Sequence, residues 1–453
     1  MKPFRIERDT MGEMRVPEDA LYGAQTQRAV ENFAISGLRF PRSFIRALGL
    51  IKAAAARTNR QLGVLEPEAA EAIERSAKAL AEGEHDAQMV VDIFQTGSGT
   101  STNMNANELI ARLSGGGIHP NDHVNRSQSS NDVIPAAIHI AAAESIHREL
   151  LPAMRSLHAG LVQKAGEFAD IVKIGRTHLQ DAVPIRLGQE FGGYARQVEA
   201  SMERVIAALE GIYELPLGGT AVGTGLNAPP GFANEAIAEL ASVTGLRFRR
   251  AKDPFEAQAA RDAVAFLSGA LRTYAISLTK IANDIRWLGS GPRCGLGELK
   301  LPAVQPGSSI MPGKVNPVIA ESLLMACAQV IGYDSAIAWS CAAGNFELNV
   351  MMPVIAYDLL QSIGLLAAVS TNFEQHLISG LEADRERIQA FIEQSLAMGT
   401  ALVPEIGYDR AAALVKEAYS TGRTVREVAR ERSGFPDDRL TNLLDPIGQT
   451  GDD

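Results

Sequence analysis

Apolar residues recur at alternating steps of three and four along four long stretches of this chain, and each stretch reads as one face of a helix. Leu150, Met154, Leu157, Leu161, Ala165 and Phe168 form the first stripe. Leu187, Phe191, Tyr194, Val198, Met202, Val205, Leu209 and Ile212 form the second. The third is the cleanest: Val264, Leu267, Leu271, Tyr274, Leu278, Ile281, Ile285 and Leu288. Leu359, Ile363, Leu366, Val369, Phe373 and Leu377 form the fourth. Such stripes imply helices of roughly 25–30 residues, about 40 Å long. No comparable period-two segment appears here, so residues 131–380 are predicted to be a helical bundle. Faces of this length can be buried within one chain or against further copies of it.

The flanks differ. Residues 1–130 are more mixed, with a shorter helical stretch at 66–82 and loops rich in Gly, Asn and Ser. From 381 to 453 short segments punctuated by Pro404, Gly407, Gly422 and Pro436 suggest a small helical domain with a frayed tail from Gly448. The expected fold class is all-α in three domains: 1–130, 131–380 and 381–453. A chain of 453 residues is long enough for more than one core.

Composition narrows the partners. A net charge of −10 without a basic stripe argues against nucleic acid or an anionic membrane as the main partner, and an anionic substrate needs local positive groups. The N-terminus has no apolar targeting core, and charges interrupt the longest apolar runs, so a cytoplasmic protein is expected. Cys294, Cys327 and Cys341 lack CxxC spacing and are read as packing residues, with no disulfide framework or zinc site.

The stretch richest in chemistry is Gly307-Ser308-Ser309-Ile310-Met311-Pro312-Gly313-Lys314-Val315-Asn316-Pro317. Pro306 and Pro312 exclude regular helix, after which Asn316 fits an N-cap and Pro317 a first helical position before the apolar run from Val318 to Ile331. Lys314, two serines and free helix N–H groups make a plausible carboxylate site. Ser98-Gly99-Thr100 offers hydroxyl donors and close backbone approach, without the strand or GK[ST] of a nucleotide loop. The polar stretch from His119 to Asp132 ends in a helix start capped by Ser130, Asn131 or Asp132. His119 and His123 are four apart, but Pro120 opposes a helix that aligns them on zinc. His178, beside Thr177, falls in a turn between two bundle helices, and Gly218 to Asn227 is a structural loop.

GSSIMPGKVNP resembles the signature of the fumarase/aspartase superfamily. GSGTSTNMNANE, HPND, SSN, IGRTHLQDA and GNFELNV match further segments, so the resemblance runs through nearly the whole chain and is nearest to class II fumarases. It implies a central long-helix bundle forming the core of a homotetramer, with each active site shared between subunits. The implied reaction is reversible hydration of fumarate to (S)-malate, without metal or organic cofactor. Ser308 becomes the base at carbon, and His178 with Glu321 handles the water. Lys314, Val315 and Asn316, with Ser98, Gly99, Thr100, Ser129, Ser130, Asn131, Thr177 and Ser309, hold the dicarboxylate. His119, Pro120, Asn121 and Asp122 correspond to a second anion site, although Gly116 stands where fumarases often have Arg. An unassisted serine is a weak base, so nearby N–H groups and a cation must lower its pKa. The alternatives are an aspartate ammonia-lyase of the same superfamily, disfavoured by Gly313, and a catalytically dead structural relative, disfavoured by the intact Ser308, His178 and Lys314.

Overall fold

The computed structural model describes residues 3–451. Helices dominate, and among the described residues strands occur as five two-stranded ribbons. The chain falls into two compact units. One comprises Met1–Pro152, Ser201–Ala275 and Ala326–Ala368; the other comprises Ala153–Ala200, Ile276–Met325 and Val369–Asp453.

In the first unit an antiparallel hairpin, Phe4–Asp9 with Gly12–Pro17, precedes the helices Ala24–Asn32, Arg42–Gln61, Pro67–Glu82 and Thr100–Ser114. The stretch predicted at 66–82 is the helix Pro67–Glu82, with proline at its first position and left-handed Gly83 ending it. Helix Ser130–Ser145 lies against Arg42–Gln61. It shows no apolar stripe because every residue from Asp132 to Ser145 is buried, and a helix buried all round has no period. A π-helical turn, Ile146–Leu150, carries it on into Leu151–Glu167, where the first predicted stripe runs.

The other three stripes fall on the long helices Leu187–Ile212, Asp262–Leu288 and Met352–Phe373, and the apolar run after Pro317 is a fourth, Val318–Cys341. All eight positions of the third stripe are buried; Ala165, Met202 and Val369 in the others are half-buried. Helix Met352–Ile378 is long and apolar enough to cross a membrane, contrary to the expectation that charges break every such run. Most of it is buried in the protein, together with Asp358, Ser362 and Ser370, as befits a core helix.

The second unit corrects three sequence readings. Residues around His178 form an antiparallel hairpin, Val172–Thr177 with Gln180–Arg186, where a turn between helices was expected. Its strands are bulged between Ile174 and Arg176, three successive residues from Lys173 to Gly175 are buried, and one of them is charged, so no period of two shows. Ile174 packs into a core with Ile392, Leu402, Leu414, Val428 and Leu440 of the C-terminal helices. The tail is anchored as far as Thr450, which is buried, its Oγ1 accepting from Arg186 Nε at 3.1 Å and its carbonyl from Gln189 Nε2 at 3.0 Å. Asp452 and Asp453 lie outside the described residues. Cys294 is exposed and so packs nothing, whereas Cys327 is buried.

Candidate active site

The loop Gly307–Pro317 closes on itself. The Gly307 N–H donates to the Lys314 carbonyl at 2.8 Å, and Asn316 Nδ2 donates to the Gly307 carbonyl at 2.5 Å. A Cβ on Gly307 would lie 2.4 Å from the Lys314 carbonyl oxygen, so only glycine permits this approach. The helix starts at Val318, and Asn316 is not its side-chain cap: its amide is used to close the loop. Within the loop, Ser308 Oγ accepts from the N–H groups of Ile310, at 3.2 Å, and Met311, at 2.9 Å. Two donors on one hydroxyl oxygen favour its ionised form.

Ser308 and Lys314 line a cleft of about 610 Å³. Lys314, Val315, Asn316 and Glu321 line another, of about 770 Å³, with Arg286, Trp287, Ser290, Lys300, Asp384 and Arg387. Four cations against two carboxylates give this cleft a local positive excess on an acidic chain. Arg286, between Ile285 and Leu288 of the third stripe, belongs to no motif and was not singled out in the sequence. Ser309 is exposed beside Ser308.

His178 and Leu179 form the tip of the hairpin, between the paired residues Thr177 and Gln180. Both have positive φ, 56° and 60°, which suits a tight primed turn and is costly for side-chain-bearing residues. The hairpin is held from beneath. Arg176 donates to Glu298 Oε1 at 2.7 Å, and Lys173 lies 3.4 Å from Glu298 Oε2 and 3.4 Å from Glu190 Oε2. Burial holds the Glu190 carboxyl above its usual range, with Lys173 opposing. Glu321 sits in the first turn of its helix, half-buried, because that turn opens onto the cleft. Among the described residues no hydrogen bond or ion pair joins it to His178, and Thr177 and His178 are exposed.

Three loops meet in the first unit. Ser98 Oγ and Thr100 Oγ1 lie 2.8 Å apart around left-handed Gly99, whose missing Cβ makes room for Ile134. Ser129, the residue before the three candidates for cap, is the cap: its Oγ accepts from the Asn131 N–H at 3.2 Å, and Asp132 answers by accepting from the Ser129 N–H at 2.9 Å. Asp132 Oδ2 also accepts from the N–H groups of Gly218, at 2.9 Å, and Thr220, at 3.0 Å, while Asn131 Nδ2 donates to the Ala221 carbonyl at 2.8 Å. The Gly218–Asn227 loop therefore positions the serine turn. Burial pushes Asp132 up to about 6, the three N–H groups and Lys52 opposing. Ser130 Oγ receives Asn103 Nδ2 at 3.3 Å, which leaves its own proton free to donate.

At the second candidate anion site a π-helical turn, Pro120–Val124, opens at Pro120 with His119 extended before it as the cap, so no helix carries both His119 and His123. His119 Nδ1 accepts from the N–H groups of Asn121, at 3.3 Å, and Asp122, at 3.1 Å, and His123 Nδ1 accepts from the His119 N–H at 2.8 Å. Those bonds need unprotonated Nδ1 atoms, so the Asp122 carboxylate 3.2 Å from His119 meets a lone pair. Gly116 lies in an exposed run of left-handed glycines with nothing near it. Among the described residues no group of three metal-ligating side chains gathers.

Comparison with known proteins places these features in context. A family described as Lyase matches residues 12–332, and one described as Fumarase C C-terminus matches residues 399–448. The chain is 56% identical over 442 residues to a fumarate hydratase class II of Mycobacterium tuberculosis, covering 97% of this chain and 93% of that one. It is 54% identical over 437 residues to that of Thermosynechococcus vestitus, covering 94% of each. The crystal structure of a class II fumarase from Schistosoma mansoni superposes with a TM-score of 0.96 at 38% identity, covering 98% of both chains.

Proposed function

Because the chain belongs to the class II fumarate hydratases, a family of lyases, we propose that it hydrates fumarate reversibly to (S)-malate with Ser308 as the base at carbon. The observation that carries this assignment is the pair of N–H groups on Ser308 Oγ, with Lys314 lining the same cleft. In the direction of malate dehydration, Ser308 takes the proton from the carbon next to a carboxylate. The developing charge on that carboxylate falls to Lys314, Asn316 and the hydroxyl and amide donors Ser98, Thr100, Ser129, Ser130, Asn131, Thr177 and Ser309, with the Gly99 and Val315 backbone alongside. Each well-placed donor to such an oxyanion contributes about 2.7–4 kcal/mol. His178, oriented by Glu321, protonates the departing hydroxyl and in reverse activates water.

The working form in this proposal is a homotetramer with each site built from more than one chain. Phe266, Ile276, Met325 and Trp339 expose apolar surface on the long helices, at 63%, 52%, 68% and 81%, as a face awaiting further copies does. The His178–Glu321 pairing, absent within one chain, is then made across an interface. His119, Asn121 and Asp122 form the accessory anion site, and the chain is read in three parts, 1–130, 131–380 and 381–453.

A coupled assay offering fumarate, malate and aspartate tests the reaction: turnover of fumarate and malate is expected, and turnover of aspartate alone replaces the proposal. Co-refolding inactive Ser308→Ala with inactive His178→Asn tests the shared site. Random assembly restores about a quarter of sites if the two residues come from different chains, and none if they come from one.

A further inference from the structure

Lys52, in the middle of helix Arg42–Gln61, is fully buried. Its Nζ donates to Asn125 Oδ1 at 3.1 Å and to Gln128 Oε1 at 2.9 Å, both neutral oxygens. Asn125 Oδ1 also takes Nδ2 of Asn103 and of Asn107, each at 3.2 Å. Three donors thus crowd an oxygen with two lone pairs, and Asn103 Nδ2 is shared with Ser130 Oγ. Asn125 Nδ2 closes the turn by donating to the Gln128 carbonyl at 3.2 Å, one residue before the cap Ser129.

An ammonium with only neutral partners is an expensive thing to bury, and an apolar side chain of similar length would pack there without that cost. Burial draws Lys52 down to about 7, Asp132 being the charge whose field opposes this. Other charges on the same helix are paired elsewhere, Arg46 with Glu144 of helix Ser130–Ser145 and Arg57 with Glu239 of helix Phe232–Thr244. None of the catalytic steps above uses Lys52.

We propose that Lys52 is a positioning residue for dicarboxylate binding: it fixes the Asn125–Gln128 turn from behind and, through the shared Asn103 amide, keeps the Ser130 hydroxyl proton directed at substrate. The inference rests on the reading of Ser129, Ser130 and Asn131 as a carboxylate site.

The test is a double-mutant cycle on the full-length enzyme with Lys52→Met and Ser130→Ala, following fumarate kinetics and calorimetric binding of succinate. Circular dichroism and gel filtration check the fold, and Lys52→Gln, held to the same criteria, replaces a methionine variant that does not fold. Lys52→Met is expected to raise KM and weaken succinate binding about tenfold with kcat within about threefold, as lost ground-state binding does. The double variant is expected to be no worse than about twice the poorer single variant, because both act on one hydroxyl. A folded Lys52 variant with KM and succinate binding like wild type, a fall in kcat alone, or single effects that multiply overturns the inference. Wild type that neither turns over fumarate nor binds succinate overturns the functional reading, and this inference with it.

Discussion

Arg176 donates to Glu298 Oε1 at 2.7 Å, and Glu298 is completely buried. That one carboxylate ties the hairpin bearing His178 to the segment that leads into the Ser308 loop. Glu298 also accepts at its backbone carbonyl from the Asp384 N–H at 2.8 Å, so the C-terminal helices are joined to the same point.

Replacing Glu298 by glutamine keeps its shape and removes its charge, leaving Lys173 with Glu190 as its acidic neighbour and taking from Arg176 the carboxylate it pairs with. Loss of one partner from a buried ion cluster costs about 3–5 kcal/mol. Urea denaturation of Glu298→Gln against wild type, at equal protein concentration, is expected to show a loss of that size. A change below about 1 kcal/mol would mean that the cluster does not hold the hairpin.

Gly97 has no room for a side chain: a Cβ there would lie 1.8 Å from the Val350 carbonyl oxygen. The two segments are already joined by the Met352 N–H donating to the Gly97 carbonyl at 3.0 Å. Gly97→Ala must push the Ser98–Thr100 loop off its support. It is expected to lower thermal stability and weaken dicarboxylate binding together; unchanged melting temperature and KM would contradict the packing described.

Much of this was legible in the chain. The four stripes locate long helices because those helices bury one face, and the Pro/Gly punctuation of residues 306–317 marks a loop. Helix Ser130–Ser145 was hidden by being buried on all sides, and the His178 hairpin by a bulge and an inward-pointing lysine that break the alternation of its strands. Lys52 and Glu298 stayed out of sight for another reason, and Asp132 showed only as a candidate cap. A charged residue in sequence reads as solvated, and only tertiary packing reveals that these three are buried.

Burial of Lys52 has a consequence for pH. Its pKa is drawn down to about 7 in the folded protein, against about 10.4 in an unfolded chain. Between those values the unfolded chain holds a proton that the folded one has released, so stability rises with pH, by up to about 1.4 kcal/mol per unit. Lys52→Met lacks this slope. Urea midpoints at pH 7, 8.5 and 10 are expected to show wild type gaining on the variant as pH rises, and a constant difference would show that the lysine stays charged when buried.

Ser308, with two N–H groups on its Oγ, is the group proposed to remove the proton from carbon. Malate dehydration by wild type and Ser308→Ala, each at saturating substrate and with succinate binding measured in parallel, tests it most directly. In Ser308→Ala kcat is expected to fall by about 10²–10⁴ with succinate binding within about threefold of wild type, as removal of a general base demands. A Ser308→Ala enzyme that folds, binds succinate and turns over malate at near the wild-type rate contradicts it.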